Sequence, residues 1–480
     1  MRRLWQPCSR RPGGVPAGAH KIRMVTYNIL ADKYSSFNAY CPPQFLAWQY
    51  RYPRLLAELE AYAADLLFLQ EVEESVFQEQ LQPRLQQRGY SSLFHPRRSP
   101  QGSPGLDEGV SLHFRASTFT RIDSLGVRLG DADLTEALLP AACCSNPRHR
   151  HNRFLPTLAQ REEGCLMALL RHEPSQRHLL AVSTHLFWNP LFPDVKLAQA
   201  ALLCSSIARF LQQHRLAPGD VPLVVGGDFN STWQKYSSDQ WDQVPPGTTL
   251  QSGVYQLLQQ GQLTPSHQDH PARRTCCRCS SSSSSSVIRV QQQQQLATQP
   301  LDWQQQSAAQ LAEWQQQAVA QQGFAAQLWG GSTDSSIEID TPQASIDEDA
   351  AAAGSGGGRP SSRRGRRSRG SSQGGGSSSS TLVDYSFHTS GLQLDSSYHM
   401  AHGREPPLTT RTNRFSGTLD YLWLSKQHWQ VAKTLAMPYR EAQAAAPPES
   451  VMDLPPCPNE VMPSDHLAVG CEALLLQVAA

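Results

Sequence analysis

Asn28, Glu71, His185, Asp228 with Asn230, Asp420, and Asp465 with His466 each stand at or beside the end of an apolar, strand-like run. One polar residue at a strand end is ordinary, but carboxylates, amides and imidazoles recurring there along the whole chain point to one site assembled from distant segments. These residue types suit hydrolysis of a phosphodiester. Mg²⁺ prefers oxygen ligands and is held by one or two carboxylates plus substrate phosphate, a task for Glu71 helped by the Asn28 amide, with Mn²⁺ as an alternative. No thiolate or histidine cage accompanies them, which argues against zinc as the working metal. Asp228 can position or deprotonate a water, and Asn230 and His185 can donate to phosphoryl oxygens. His466 can serve the phosphate once a carboxylate fixes its tautomer.

The stretch around Asp228 illustrates how such a residue is delivered. Residues 221–230 (VPLVVGGDFN) read as a buried strand. Gly226 and Gly227 are expected to leave room for a ligand, and Asp228 and Asn230, two apart, to share a face. GDFN alone equally fits a strand end followed by an Asx-type turn. Further strands are expected at 22–30, 66–72, 109–114, 165–171, 178–186, 418–425 and 467–476. Leu55, Leu56, Leu59 and Tyr62 recur at helical spacing after Pro53, which predicts a helix beginning at that proline. Residues 76–88 and 253–259 read as helices, and 194–213 is the clearest, with Val195, Leu197, Leu202, Leu203, Ile207 and Leu211 on one face. This alternation predicts a layered α/β fold with the site at one edge of its sheets.

Composition bounds the rest. The net charge of +1 gives no global hint of a polyanion, so only local patches can. One patch, in the loop 146–154, carries Arg148, His149, Arg150, His151 and Arg153, and a solvated loop is its default reading. Eleven scattered cysteines suggest reduced thiols and an intracellular setting, cytoplasm or nucleus. No apolar run reaches the length of a membrane span. Residues 1–21 read as a basic tail, with an organelle (mitochondrion or chloroplast) as the alternative destination.

In chain order, TYNILAD, LQEVE, THLFWNP, GDFNS, GTLDYLWLS and PSDHLA resemble the endonuclease/exonuclease/phosphatase superfamily, in its carbon-catabolite-repressor deadenylase, nocturnin and Angel branch. The resemblance implies a DNase I-like four-layer sandwich, two mixed β-sheets face to face with helices outside, and a Mg²⁺ site in the cleft. It implies that Glu71 is the metal carboxylate with Asn28 beside it and Asp465 close by. It matches Asp228 and Asn230 to the water-activating and transition-state pair, and His466 to a catalytic histidine oriented by Asp420. Pro190 and Phe415 match the pair that sandwiches the terminal adenine in the branch's deadenylases. The implied activity is 3′-to-5′ removal of adenylates from RNA, with the poly(A) 3′ end as partner. Glu108-Gly109 departs from the deadenylases' Asp-Gly and is similar to the branch's 2′,5′-phosphodiesterase, whereas DVKLAQ after Pro190 leans back. Cleavage of 2′,5′-adenylates, nocturnin-like action on a dinucleotide, and a non-catalytic RNA-binding scaffold are the alternatives. No leucine-rich repeat precedes Ile22, so a tether of that kind is not expected.

Residues 264–382 are rich in Ser, Gln, Gly and Arg and read as a disordered insert dividing the catalytic domain into 22–263 and 383–480. The insert is where protein partners would be sought. His267, His270, Cys276 and Cys279 form an H-x2-H-x5-C-x2-C run that matches no zinc finger well. Arginines gathered at 359–369 suit RNA, a nuclear signal or plain solvation.

Overall fold

The computed structural model describes residues 3–10, 18–97, 108–131, 154–237, 244–274, 386–440, 448, 451 and 453–477. The rest of the expected insert, the loop 146–153, Cys276 and Cys279 lie outside the described residues. The described chain forms one compact unit.

Two mixed sheets organise it. The first is built from β1 (Trp5–Pro7), β2 (His20–Asn28), β3 (Leu66–Glu73), β4 (Tyr90–Arg97), β5 (Glu108–Arg115), β12 (Trp429–Leu435) and β13 (Val469–Leu475), in the order β1-β12-β13-β2-β3-β5-β4. The second comprises β6 (Phe119–Arg128), β7 (Gly164–His172), β8 (Arg177–His185), β9 (Leu223–Asp228), β10 (Leu394–Ser396) and β11 (Asp420–Ser425), in the order β10-β11-β9-β8-β7-β6. One parallel pair lies at the heart of each sheet, β2 with β3 and β8 with β9, so Asn28 and Asp228 finish on strands whose neighbours end beside them.

The inner faces meet in a core of Met24, Phe68, Leu112, Leu166, Val224 and Leu422. The outer face of the second sheet packs under the long helix Pro193–Gln213 and the helix Gly253–Gln260. That of the first sheet packs under Trp48–Tyr62 and the helical run that includes Gln82–Gln87. Helix, sheet, sheet, helix is the four-layer order expected.

Several local expectations are corrected. Pro53 does not open its helix, which starts at Trp48 and carries the proline inside. The preceding turn is held by buried Arg51, whose guanidinium donates to the carbonyls of Leu46, Ile29 and Leu30, and tertiary anchoring overrides the proline's preference. The glycines of GGD make no room for a ligand. A Cβ on Gly226 would sit 2.7 Å from the Phe68 ring, and one on Gly227 would strike the Thr184 carbonyl, so both serve strand and sheet packing. Within the stretch read as a basic tail, Trp5–Pro7 pairs antiparallel with β12, and buried Arg3 donates to the Ala436 and Ala468 carbonyls at 2.7 Å each. Residues 264–274 pack with the fold, where Asp269 is buried and bonded to Lys235 and to the Gly253 amide. His267 engages Gln251 and Asp269 through its two ring nitrogens, so it is not free for a zinc run.

Candidate active site

Glu71 is delivered by an irregularity in β3. The register with β5 shifts between Leu69 and Val72, and Glu71 takes a left-handed φ of 55°. Such a bulge re-aims one side chain out of the strand's alternation. Its Oε1 accepts from Asn28 Nδ2 at 2.9 Å and its Oε2 from the Ala31 amide at 3.1 Å. Burial, with Asp465 and Glu108 adding to it, pushes the carboxyl up to about 7. A half-buried acid facing other acids fits a divalent cation such as Mg²⁺ or Mn²⁺.

Asn28 is the bridge between the sheets. The same Nδ2 also donates to Asp228 Oδ2 at 3.0 Å. Asp228 ends β9, and its Oδ1 accepts from the Asn230 amide at 2.8 Å, closing an Asx turn in which Asn230 has a φ of 47°. The turn, and not strand alternation, brings acid and amide together. Burial raises the Asp228 carboxyl above its ordinary range.

Asp420 opens β11, directly across from Asp228 in register. Its Oδ2 lies 2.9 Å from His466 Nδ1 and accepts from Thr409 Oγ1 at 2.6 Å. His466 Nε2 lies 3.7 Å from Asp228 Oδ2. Burial opposes a charged imidazole, but Asp420 and Asp228 outweigh it and raise His466 well above the usual histidine range. Donor atoms of Asp228, Asp420 and His466 all fall within 4.8 Å of one another, a spacing a cation could also use.

His185 and Asn230 are together but face protein. Asn230 Nδ2 lies 3.0 Å from both the Leu186 carbonyl and His185 Nε2. A carbonyl only accepts, which fixes the amide orientation, makes Nε2 an acceptor and puts the His185 proton on Nδ1. Burial lowers His185 to about 4, in keeping with a neutral ring. Nε2 and the Asn230 side-chain N–H groups are thus engaged within the protein, and Nδ1 is the ring nitrogen left to donate. Nδ1 has no hydrogen-bond partner, and His185 lines a cavity with His95, Arg97, Glu108 and Glu163.

Asp465 accepts from Asn38 Nδ2 at 3.3 Å. Pro190 follows His185 on the loop before the helix Pro193–Gln213, and Phe415 lies on the turn before Ser416–Gly417, its ring packed against Gly417. Sequence reasoning missed Asn38 and Arg97, the latter paired with buried Glu108 at 3.1 Å. Arg97 closes a strand opposite Glu108, a pairing that only register reveals.

Two mixed sheets with acids, amides and histidines gathered at their strand tips define an α/β sandwich with a polar cluster at one edge. A model of the Endonuclease/Exonuclease/phosphatase family matches residues 25–466, and the chain belongs to that family. It is 30% identical over 275 residues to the CCR4-Not complex 3′-5′-exoribonuclease subunit Ccr4 of Yarrowia lipolytica, covering 52% of this chain and 35% of that protein. It is 30% identical over 263 residues to Carbon catabolite repressor protein 4 homolog 1 of Arabidopsis thaliana, covering 53% and 40%. The chain thus spans less than half the length of these relatives. A crystal structure of ANGEL2, a 2′,3′-cyclic phosphatase, shares the fold with a TM-score of 0.56 at 20% identity, covering 99% of both chains. The branch is the one its motifs resemble. Among the described residues, no helix is long and apolar enough to cross a membrane.

Proposed function

We propose that this chain is a Mg²⁺-dependent 3′-to-5′ exoribonuclease that removes adenylates from RNA 3′ ends and releases 5′-AMP. The carrying observation is the linkage of Glu71, Asn28, Asp228, His466 and Asp420, drawn from both sheets, into one buried cluster. The exoribonuclease named among its relatives supports the reading.

Glu71 would hold the cation, with Asn28 and Asp465 beside it. When bound, the cation neutralises phosphoryl charge and lowers the pKa of a coordinated water. Asp228, buried and raised in pKa, is suited to fix the attacking water and take its proton. His466, held charged by Asp420, sets a positive donor against the phosphoryl oxygens. Asn230 braces Asp228 from the other side through its backbone N–H. Pro190 and Phe415 would enclose the terminal adenine, where stacking contributes about 1 to 3 kcal/mol. We further infer an intracellular setting and a catalytic domain interrupted by an insert that begins after residue 274.

Glu108-Gly109 favours a second reading, cleavage of 2′,5′-linked adenylates. Comparing 3′,5′-oligoadenylate, 2′,5′-oligoadenylate and a dinucleotide cofactor at equal concentration separates the readings. The 3′,5′ linkage is expected to give the highest kcat/KM. A higher value for either other substrate overturns the proposed specificity, and turnover of none overturns the enzyme.

A further inference from the structure

Phe37 is 68% exposed, yet it stands on one of the most firmly tied segments around the site. It lies in the short turn Ser36–Asn38, whose Asn38 is buried and donates to Asp465. The Tyr40 hydroxyl donates to Asn38 Oδ1 at 3.0 Å. Upstream, the Ala31 amide donates to Glu71 and the Lys33 amide to Glu73 at 3.0 Å. Segment 31–38 is therefore pinned at both ends to the acidic side of the site, and it leaves an apolar ring in water.

The ring has neighbours suited to a nucleic acid strand. Tyr34 lies 6.2 Å from Phe37 with the rings tilted by 33°, and Lys33 Nζ is 4.9 Å from the Tyr34 ring centre. A cation near an exposed aromatic ring, here Phe37 backed by the half-buried Tyr34, is the composition by which proteins hold single strands, the charge serving phosphate and the ring stacking on a base.

Position in the site decides which base. The cluster runs from Asp465 and Glu71 through Asn28 to Asp228, and on to Asn230 and His185. Pro190 follows His185 by five residues and the Phe415 ring tip lies beside Gly417 with Thr232, just past Asn230, whereas Asn38 ties Phe37 to the Asp465 end. With the terminal adenine at Pro190 and Phe415 and the scissile phosphate at the cluster, the rest of the strand leaves across Phe37. We propose that Phe37 is a stacking platform for the base on the 5′ side of the scissile phosphate, with Lys33 supplying charge to the adjoining backbone. This inference rests on the exoribonuclease reading for its direction, but it is tested by binding.

The full chain would be titrated, in Ca²⁺ in place of Mg²⁺, with oligoadenylates carrying fluorescent 2-aminopurine either at the penultimate position or far from the 3′ end. Quenching is expected at the penultimate position alone. Phe37→Ala should abolish it and weaken binding about ten-fold, and Phe37→Trp should restore both. Because the ring is exposed, the melting temperature should not change. Penultimate quenching that survives Phe37→Ala, or none in the unaltered chain, overturns the platform. AMP release in Mg²⁺ by the unaltered chain is measured in parallel. Its absence alongside intact Phe37-dependent quenching would defeat the nuclease reading while leaving the stacking site standing.

Discussion

Asp420 and His466, 46 residues apart in sequence, meet at 2.9 Å between Oδ2 and Nδ1 with both side chains buried. A carboxylate bonded to one ring nitrogen fixes the tautomer and holds the charge on the imidazole, leaving Nε2 for the reaction. Asp420→Asn keeps the shape and removes that charge. His466 should then titrate at a lower pH, and kcat should fall about 10- to 100-fold with little change in KM. A histidine NMR titration beside steady-state kinetics checks both.

Glu71 gives a pH dependence whose sign follows from its environment. Its folded pKa of about 7 lies above the ordinary value of 4.5, burial being the main cause. In the metal-free protein its contribution to stability is fully present below about pH 4.5 and is lost as pH rises through about 7. Thermal melts without metal should therefore show stability falling across that window, with Mg²⁺ restoring it on the alkaline side. Glu71→Gln should flatten the fall and remove most of the Mg²⁺ effect.

Phe415 is assigned to the base and not to the phosphate. Phe415→Ala should reduce the preference for A over U about ten-fold at the 3′ end while lowering hydrolysis of the poorer substrate less. Competition between A- and U-ended oligonucleotides measures this, and an unchanged preference counts against the adenine sandwich.

Gly226 lies under the site, where the sheets touch. Gly226→Ala places a methyl 2.7 Å from the Phe68 ring in a packed core and should destabilise the fold by about 1 to 3 kcal/mol. Chemical denaturation checks it.

Much of this architecture is legible in the chain because a strand buried on both faces must be apolar along its length. The runs before Asp228, His185 and Asp420 consequently betray both the strand and the residue delivered at its end. The four-layer order needed the family resemblance as well, since periodicity cannot say which faces meet. What stayed hidden depends on partners remote in sequence. The β3 bulge that turns Glu71 inward has no glycine to mark it, and Arg3 and Trp5 look like a tail until β12 is there to receive them. GDFN reads equally as a site or an Asx turn, and the turn is what the structure forms. The orientation of Asn230 is hidden for a similar reason, since the Leu186 carbonyl that fixes it is invisible to a list of polar residues.

The most direct measurement is incubation of the chain with poly(A) and Mg²⁺, beside Glu71→Ala, with the products resolved by chromatography. Steady release of 5′-AMP by the unaltered chain and loss of nearly all of it in Glu71→Ala is the predicted result. Equal release by both proteins, or release by neither, would contradict a phosphodiesterase centred on Glu71.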